Sequence, residues 1–201
     1  MKITRISSIN TFYDSIQHLE GKAYADAILA HFEIDFAIPE EDFKRIPKEG
    51  PFITISNHPL GAIDGIILIK LMAELRPDFK IMANFLLQRM KPLVPYIIPV
   101  NPFESRKDVK SSISGFKSAL QHLKNGHPLS VFPAGEVSTF KDDKLIVDKP
   151  WEEAALKLIR KAEVPVVPIY FHAKNSRLFY RLAKLNDVFR TAKIPSEVFT
   201  Q

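Results

Sequence analysis

His58 and Asp64 are the residues of this 201-residue chain whose types and spacing best suit proton chemistry. They sit in Ile53-Thr54-Ile55-Ser56-Asn57-His58-Pro59-Leu60-Gly61-Ala62-Ile63-Asp64-Gly65. A neutral imidazole accepts a proton near neutrality, and a carboxylate bonded to its second nitrogen fixes the tautomer and stabilises the imidazolium as it forms. Pro59 offers no backbone donor, and a turn at Gly61 lets a substrate approach the main chain closely. The same spacing also fits a turn whose histidine only caps the next helix or bonds locally. One His and one Asp do not decide between these readings.

A second stretch, Phe132-Pro133-Ala134-Gly135-Glu136-Val137-Ser138, repeats the layout: an apolar run, a Pro/Gly turn, then polar side chains. Each stretch needs an element to place it. Phe52 to Ile55 has the composition of a buried strand, and from Ile63 to Leu75 the apolar residues recur at helical spacing. The first stretch is thus a strand, a turn and a helix, and ligands of open α/β sheets bind outside the carboxyl ends of strands. Leu129 to Phe132 is a second buried strand whose turn can open on the same edge.

The remaining chain alternates in the same way. Residues 8–32 are expected to form one amphipathic helix, with Ile9, Phe12, Ile16, Leu19, Ala23, Ala27 and Ala30 near one face. Residues 36–51, acidic and proline-bearing, are a connection. Strands are expected at Phe79 to Met82 and Val164 to Phe171, the latter at an edge because of its prolines. Between Pro92 and Pro102 the prolines forbid a regular helix and leave at most a short strand at Tyr96 to Val100. Helices are expected over 105–125, 151–162 and from Ser176 onward. The fold class is α/β, a mixed, largely parallel sheet flanked by helices. It forms one domain over 1–201, with an N-terminal helical segment (1–35) ahead of the α/β core (36–201).

Composition narrows the chemistry. The chain has no cysteine, which excludes disulfides, a thiol nucleophile and cysteine-ligated zinc. No apolar run reaches membrane-spanning length and the N-terminus lacks a secretory signal, so the expectation is a cytoplasmic protein. The net charge of +5 is uneven. Residues 1–79 carry 8 basic and 12 acidic side chains, whereas residues 80–124 carry 8 and 2 and residues 164–201 carry 6 and 2. Two basic segments point to an anionic partner: lipid head groups, an acidic carrier protein or nucleic acid. No nucleic-acid recognition motif accompanies them. The other histidines, at 18, 31, 122, 127 and 172, form no ligand pair for a metal hydrolase.

Taken together, the two motifs resemble those of the glycerolipid acyltransferase superfamily, the lysophosphatidate-acyltransferase type. That family carries His-x4-Asp in its first motif and Phe-Pro-Glu-Gly-Thr-Arg-Ser in its third. The bacterial hemolysin-like branch, which includes O-acyltransferases of ornithine and glycine lipids, has Asn-His-Pro-Leu-Gly-x-x-Asp-Gly and Phe-Pro-Ala-Gly-Glu-x-Ser. Both are matched here, at 57–65 and 132–138, and Asn175-Ser176-Arg177-Leu178-Phe179-Tyr180 also looks like that branch. The likeness covers about residues 50–200. Related domains continue with further sheet, so the chain is expected to be a short or trimmed member.

The resemblance implies acyl transfer from a thioester, on coenzyme A or acyl carrier protein, to the hydroxyl of a lysolipid. His58 would be the general base and Asp64 its orienting carboxylate, with no metal or other cofactor. Asn57, Gly61, Pro133, Gly135, Glu136 and Ser138 would line the substrate. Backbone N–H groups around Gly135 or near Gly61 would meet the oxyanion. Glu136 would bond the acceptor or hold the turn, and Ser138 would cap local backbone. Where the wider family has an arginine associated with an acceptor phosphate, this chain has Val137. Arg106 or Lys107 would have to supply that cation. The protein would sit at the inner face of the cell membrane, with the cationic helix after Ser176, including Phe179, lying in the interface. Five residues rather than four separate His58 from Asp64. A non-catalytic lipid-binding relative is therefore the alternative: ring and carboxylate within hydrogen-bond reach would favour catalysis, and wide separation would favour binding alone.

Overall fold

In the computed structural model, residues 6–101, 109–141 and 145–180 are described. Five short strands, β1 (Ile53–Ser56), β2 (Lys80–Asn84), β3 (Ile97–Val100), β4 (Leu129–Val131) and β7 (Val166–Ile169), form one sheet in the order β3-β2-β4-β1-β7. Every pairing within it is parallel. The near-continuous apolar runs of β1, β3 and β4 suit strands covered on both faces. The expected antiparallel component is instead a separate hairpin, β5 (Thr139–Lys141) with β6 (Leu145–Val147), which follows the second motif.

Helices α4 (Ala62–Leu75) and α2 (Gly21–His31) pack on one face of the sheet, burying Ile63, Ile67, Met72, Tyr24 and Leu29 with Phe52 and Ile81. On the other face α5 (Val109–Lys124) and α6 (Glu153–Ala162) bury Ala119, Leu123 and Leu158 against Ile53, Leu129 and Val131. The connections leaving the neighbouring strands β1 and β4 therefore run to opposite faces. Their turns open side by side on the carboxyl edge, the crevice expected at a switch point. Strand β7 is an edge strand, where Pro168 costs no ladder bond on its open side.

The single helix expected over 8–32 is broken into α1 (Ile6–Ile16) and α2. Gly21 is the reason: it enters α2 at φ +52, and a Cβ there would lie 2.5 Å from the Tyr96 hydroxyl. The connection 36–51 holds one further turn of helix, α3 (Glu40–Phe43). Strand β2 lies one to two residues later than expected, and two 3-10 turns, Phe85–Arg89 and Lys91–Tyr96, fill the proline-rich passage. No helix among the described residues is long and apolar enough to cross a membrane.

At the amino edge of the sheet, away from His58, a buried guanidinium ties three loops together. Arg76 donates to both carboxylate oxygens of Asp78 at 3.0 and 2.8 Å, to Gly50 O at 2.7 Å and to Gly126 O at 3.2 Å. His127 Nδ1 lies 2.8 Å from Asp78 Oδ2. Partial burial disfavours the Asp78 carboxylate, but Arg76 and His127 outweigh it and hold its pKa at about 2. A depressed carboxylate pKa adds stability that is complete above the ordinary value near 4 and is lost as pH falls through about 2. Asp78→Asn is therefore expected to lower unfolding free energy by about 2 kcal/mol at neutral pH and by almost nothing near pH 2. Urea unfolding at the two pH values checks this, and an undiminished difference in acid would refute the linkage.

Candidate active site

The turn after β1 is built around one buried oxygen. Gly61, the residue preceding α4, has φ +75, a conformation that favours glycine, and its N–H donates to Asp64 Oδ2 at 3.1 Å. Leu60 N donates to the same oxygen at 2.9 Å, and His58 Nδ1 lies 2.9 Å from it. Asp64 stands in the first turn of α4, where a carboxylate also meets the positive end of the helix dipole. The extra residue between His58 and Asp64 is thus absorbed in the turn, and ring and carboxylate remain within hydrogen-bond reach.

An ionised carboxylate only accepts, so His58 donates from Nδ1 and its Nε2 carries the free lone pair. Asp64 is fully buried while the His58 side chain is 18% exposed. Burial raises the Asp64 pKa above its ordinary value, opposed by the His58 ring and the two N–H groups. The second oxygen, Oδ1, has no hydrogen-bond partner. Such a carboxylate gains more from an adjacent imidazolium than a solvated one would, which draws a proton toward the ring. Phe132, at the end of β4, stacks on the His58 ring with centroids 3.9 Å apart and planes 21° from parallel. The imidazole is clamped in orientation by a carboxylate at one nitrogen and a ring on one face.

The main chain of the turn is held as tightly. His58 O accepts from Ser138 N at 2.9 Å, and His58 N donates to Asp148 Oδ1 at 3.4 Å. Ser138 Oγ donates to that same Asp148 oxygen at 2.5 Å. Ser138 precedes β5 and Asp148 follows β6, so the hairpin closes on both sides of the His58 peptide. Asn57 exchanges both ends of its amide with Phe171, donating to the carbonyl at 3.0 Å and accepting from the N–H at 2.7 Å. Asn175 Nδ2 donates to Pro59 O at 2.8 Å.

These contacts revise several expectations. The N–H groups of Leu60 and Gly61 are engaged by Asp64, and Gly135 N donates to Phe132 O at 3.0 Å. Those three donors are not directed at an oxyanion. Ser138 is buried and bonds the Asp148 side chain rather than capping local backbone. Glu136 pairs with Lys149 at 2.5 Å beside the turn. Pro133 is buried, and its carbonyl accepts from Glu152 N at 2.8 Å. Gly135 is exposed at the tip. Phe179, expected at a membrane interface, is fully buried with Tyr180 and Val137, because the helical start at residues 177–180 turns that side inward. Arg106 and Lys107 lie outside the described residues, as does the chain beyond Tyr180.

Asp148 and Phe132 were not anticipated as parts of the site. Phe132 stood in the motif, but its stacking depends on the β1–β4 pairing. Asp148 lies 90 residues from His58 with only a hairpin to signal it. Among the described residues no group of three or more His, Cys, Asp or Glu could hold a metal ion.

A family model described as an acyltransferase matches residues 3–199. The chain belongs to that acyltransferase family. A lyso-glycine lipid O-acyltransferase of Bacteroides thetaiotaomicron is 29% identical over 187 residues, 92% of this chain and 65% of the relative. A lyso-glycine lipid O-acyltransferase of Phocaeicola vulgatus is 27% identical over 186 residues, 91% of this chain and 63% of the relative. The chain thus spans a little under two thirds of the length of these relatives.

Asn57 lies nearest to His58 in the matched motif, yet its amide is committed to Phe171. Asn57→Ala is expected to lower unfolding free energy by about 2 kcal/mol or more, since it removes two bonds and strands the Phe171 peptide groups. Thermal melting of the variant beside wild type measures this, and an unchanged midpoint would show that the amide does not brace the turn.

Proposed function

We propose that this protein is an O-acyltransferase that moves a fatty acyl group from a thioester to the hydroxyl of a lysolipid. The observation that carries the reading is the 2.9 Å contact of His58 Nδ1 with the buried Asp64 carboxylate, which leaves Nε2 as a base at the open edge of the sheet. The acceptor hydroxyl gives its proton to Nε2 as its oxygen attacks the thioester carbonyl carbon and a C–O bond forms. The tetrahedral intermediate then collapses, the C–S bond breaks, and the departing thiolate takes the proton back from Nε2. The acceptor oxygen attacks directly, so no serine or cysteine nucleophile is required. Base assistance of this kind contributes about 10²–10⁴-fold in rate.

The acceptor class proposed is the lyso-glycine lipid named for the two relatives, with lyso-ornithine lipid as the chemical neighbour. Val137 supports an acceptor without a phosphate. It occupies the position of the wider family's arginine, and it is buried against Phe179 and Tyr180. A phosphate dianion favours a bidentate cation, and an isopropyl group turned into an apolar cluster supplies none. The thioester is carried by coenzyme A or an acyl carrier protein, and the reaction needs no metal.

Transfer assays with acyl-coenzyme A and acyl carrier protein donors, against lyso-glycine lipid, lyso-ornithine lipid and lysophosphatidate, test the proposal. Transfer to the first is expected to exceed transfer to lysophosphatidate. His58→Ala is expected to cost at least about 10²-fold in kcat. Asp64→Asn, which stabilises the wrong tautomer, is expected to cost a factor on the order of 10³ or more while the protein still folds cooperatively. Full turnover by a folded His58→Ala protein would end the proposal.

Asp148 acts through the backbone of His58 as a positioning residue. Asp148→Asn is expected to lower kcat by about 10-fold or more with little change in KM, since a small displacement of the base weakens attack geometry. Asp148→Glu should restore part of the loss. An equal loss in kcat and rise in KM would instead mark Asp148 as part of the binding surface.

A further inference from the structure

The carboxyl edge of the sheet is rimmed by exposed apolar and cationic side chains on both sides of His58. On the β2 side, Phe85 and Leu86 are 40% and 39% exposed in the 3-10 turn that leaves the strand, followed by exposed Arg89 and Lys91. The strand registers place this turn. Ile81 pairs with Ser130 and Ile55 with Val131, so counting on brings both Phe85 and His58 level with Ala134. Only β4 separates β2 from β1, a lateral distance of about 10 Å.

The other flank has the same make-up. Ser56 pairs with Ile169, which sets Tyr170, 69% exposed, beside Asn57. Asn175 then ties the following segment to Pro59, with exposed Lys174, Arg177 and Leu178 around it. Among the described residues none of Arg89, Lys91, Lys174 and Arg177 forms an ion pair. On the same rim Glu136 is neutralised by Lys149 and Glu153 by Lys157, and Glu152 is exposed. Exposed apolar groups alternating with unpaired cations are what an anionic bilayer surface takes up: rings and leucines enter the interface and cations meet phosphates.

We infer that this edge rests on an anionic bilayer, with the Phe85–Lys91 turn and the Tyr170–Leu178 segment as two feet astride the opening to His58. The inference rests on the acyl-transfer reading for its purpose, since it lets a single-chain lipid reach the base from the leaflet. The surface itself is argued from exposure and charge alone. An acidic carrier protein would satisfy the cations, but it would leave Phe85, Leu86 and Leu178 in water.

The test is co-sedimentation of the whole chain with vesicles of phosphatidylcholine, alone or mixed in equal parts with phosphatidylglycerol. Wild type is expected to sediment with the mixed vesicles and to stay in solution with phosphatidylcholine alone. Each basic side chain near such a surface adds about fivefold to partitioning, so Arg89→Gln with Lys91→Gln should weaken binding roughly 25-fold. Lys174→Gln with Arg177→Gln should do the same, and Phe85→Ser with Leu86→Ser should also release the protein. All three pairs should keep wild-type melting temperatures and wild-type turnover of a detergent-dispersed lysolipid.

Wild-type sedimentation by the variants, or none by the native chain, overturns the inference. Retained vesicle binding with turnover lost only for the carrier-protein donor also overturns it, in favour of carrier docking. Absence of turnover by the native chain in detergent would count against acyl transfer, and the vesicle result would stand apart from it.

Discussion

Removing the Asp64 carboxylate from water is the constraint to which the rest of the site answers. An ionised group in that position is tolerated only if donors surround it. Here three converge on a single oxygen: two peptide N–H groups of the turn and the imidazole of His58. The glycine at 61 makes this possible, because its positive φ brings consecutive N–H groups round to the same side. The turn is accordingly less a connector than a shell around a charge. The imidazole is the member of that shell with a second polar atom left to use.

A shell of this kind is useful only if it does not move. The carbonyl and N–H of His58 are held by Ser138 and Asp148, the side chain before it by Phe171, and the carbonyl after it by Asn175. Every one of these partners comes from a different part of the chain. They meet because β1 lies between β4 and β7, so the segments leaving both neighbours pass beside its turn. Central placement in a parallel sheet is therefore what lets a four-residue strand carry a rigid base.

Much of this arrangement was legible in the residues. The strand-turn-helix at 52–75 could be read from apolar periodicity and the Pro/Gly pair, and the likeness of 132–138 to it placed both turns on one edge. The His58–Asp64 contact could be posed as a question but not answered, because the added residue made the outcome depend on the backbone of Gly61. Contacts across long separations stayed hidden. The bonds of Asn57 to Phe171 span 114 residues, and those of the hairpin to His58 depend on a pair of three-residue strands with no turn signal strong enough to predict them. The break at Gly21 was hidden for a related reason: glycine inside an amphipathic pattern is tolerated in many helices, and only the Tyr96 hydroxyl makes it a requirement here.

The second motif gains its meaning from being read as a set of exchanges. Against the wider family's pattern, Ala134 and Val137 replace Glu and Arg, and both are buried. The one carboxylate retained in the stretch, Glu136, carries its own lysine. A turn that would present a pair of charges to an acceptor presents a neutralised pair at its tip and apolar side chains beneath. Phe179 and Tyr180 complete the exchange by covering Val137 from the segment that Asn175 pins to the first motif. The two motifs are thus coupled through a third stretch, and the loss of the cation is compensated by packing rather than by a cation placed elsewhere among the described residues. An acceptor suited to this edge presents its hydroxyl to His58 without bringing a dianion to the second turn.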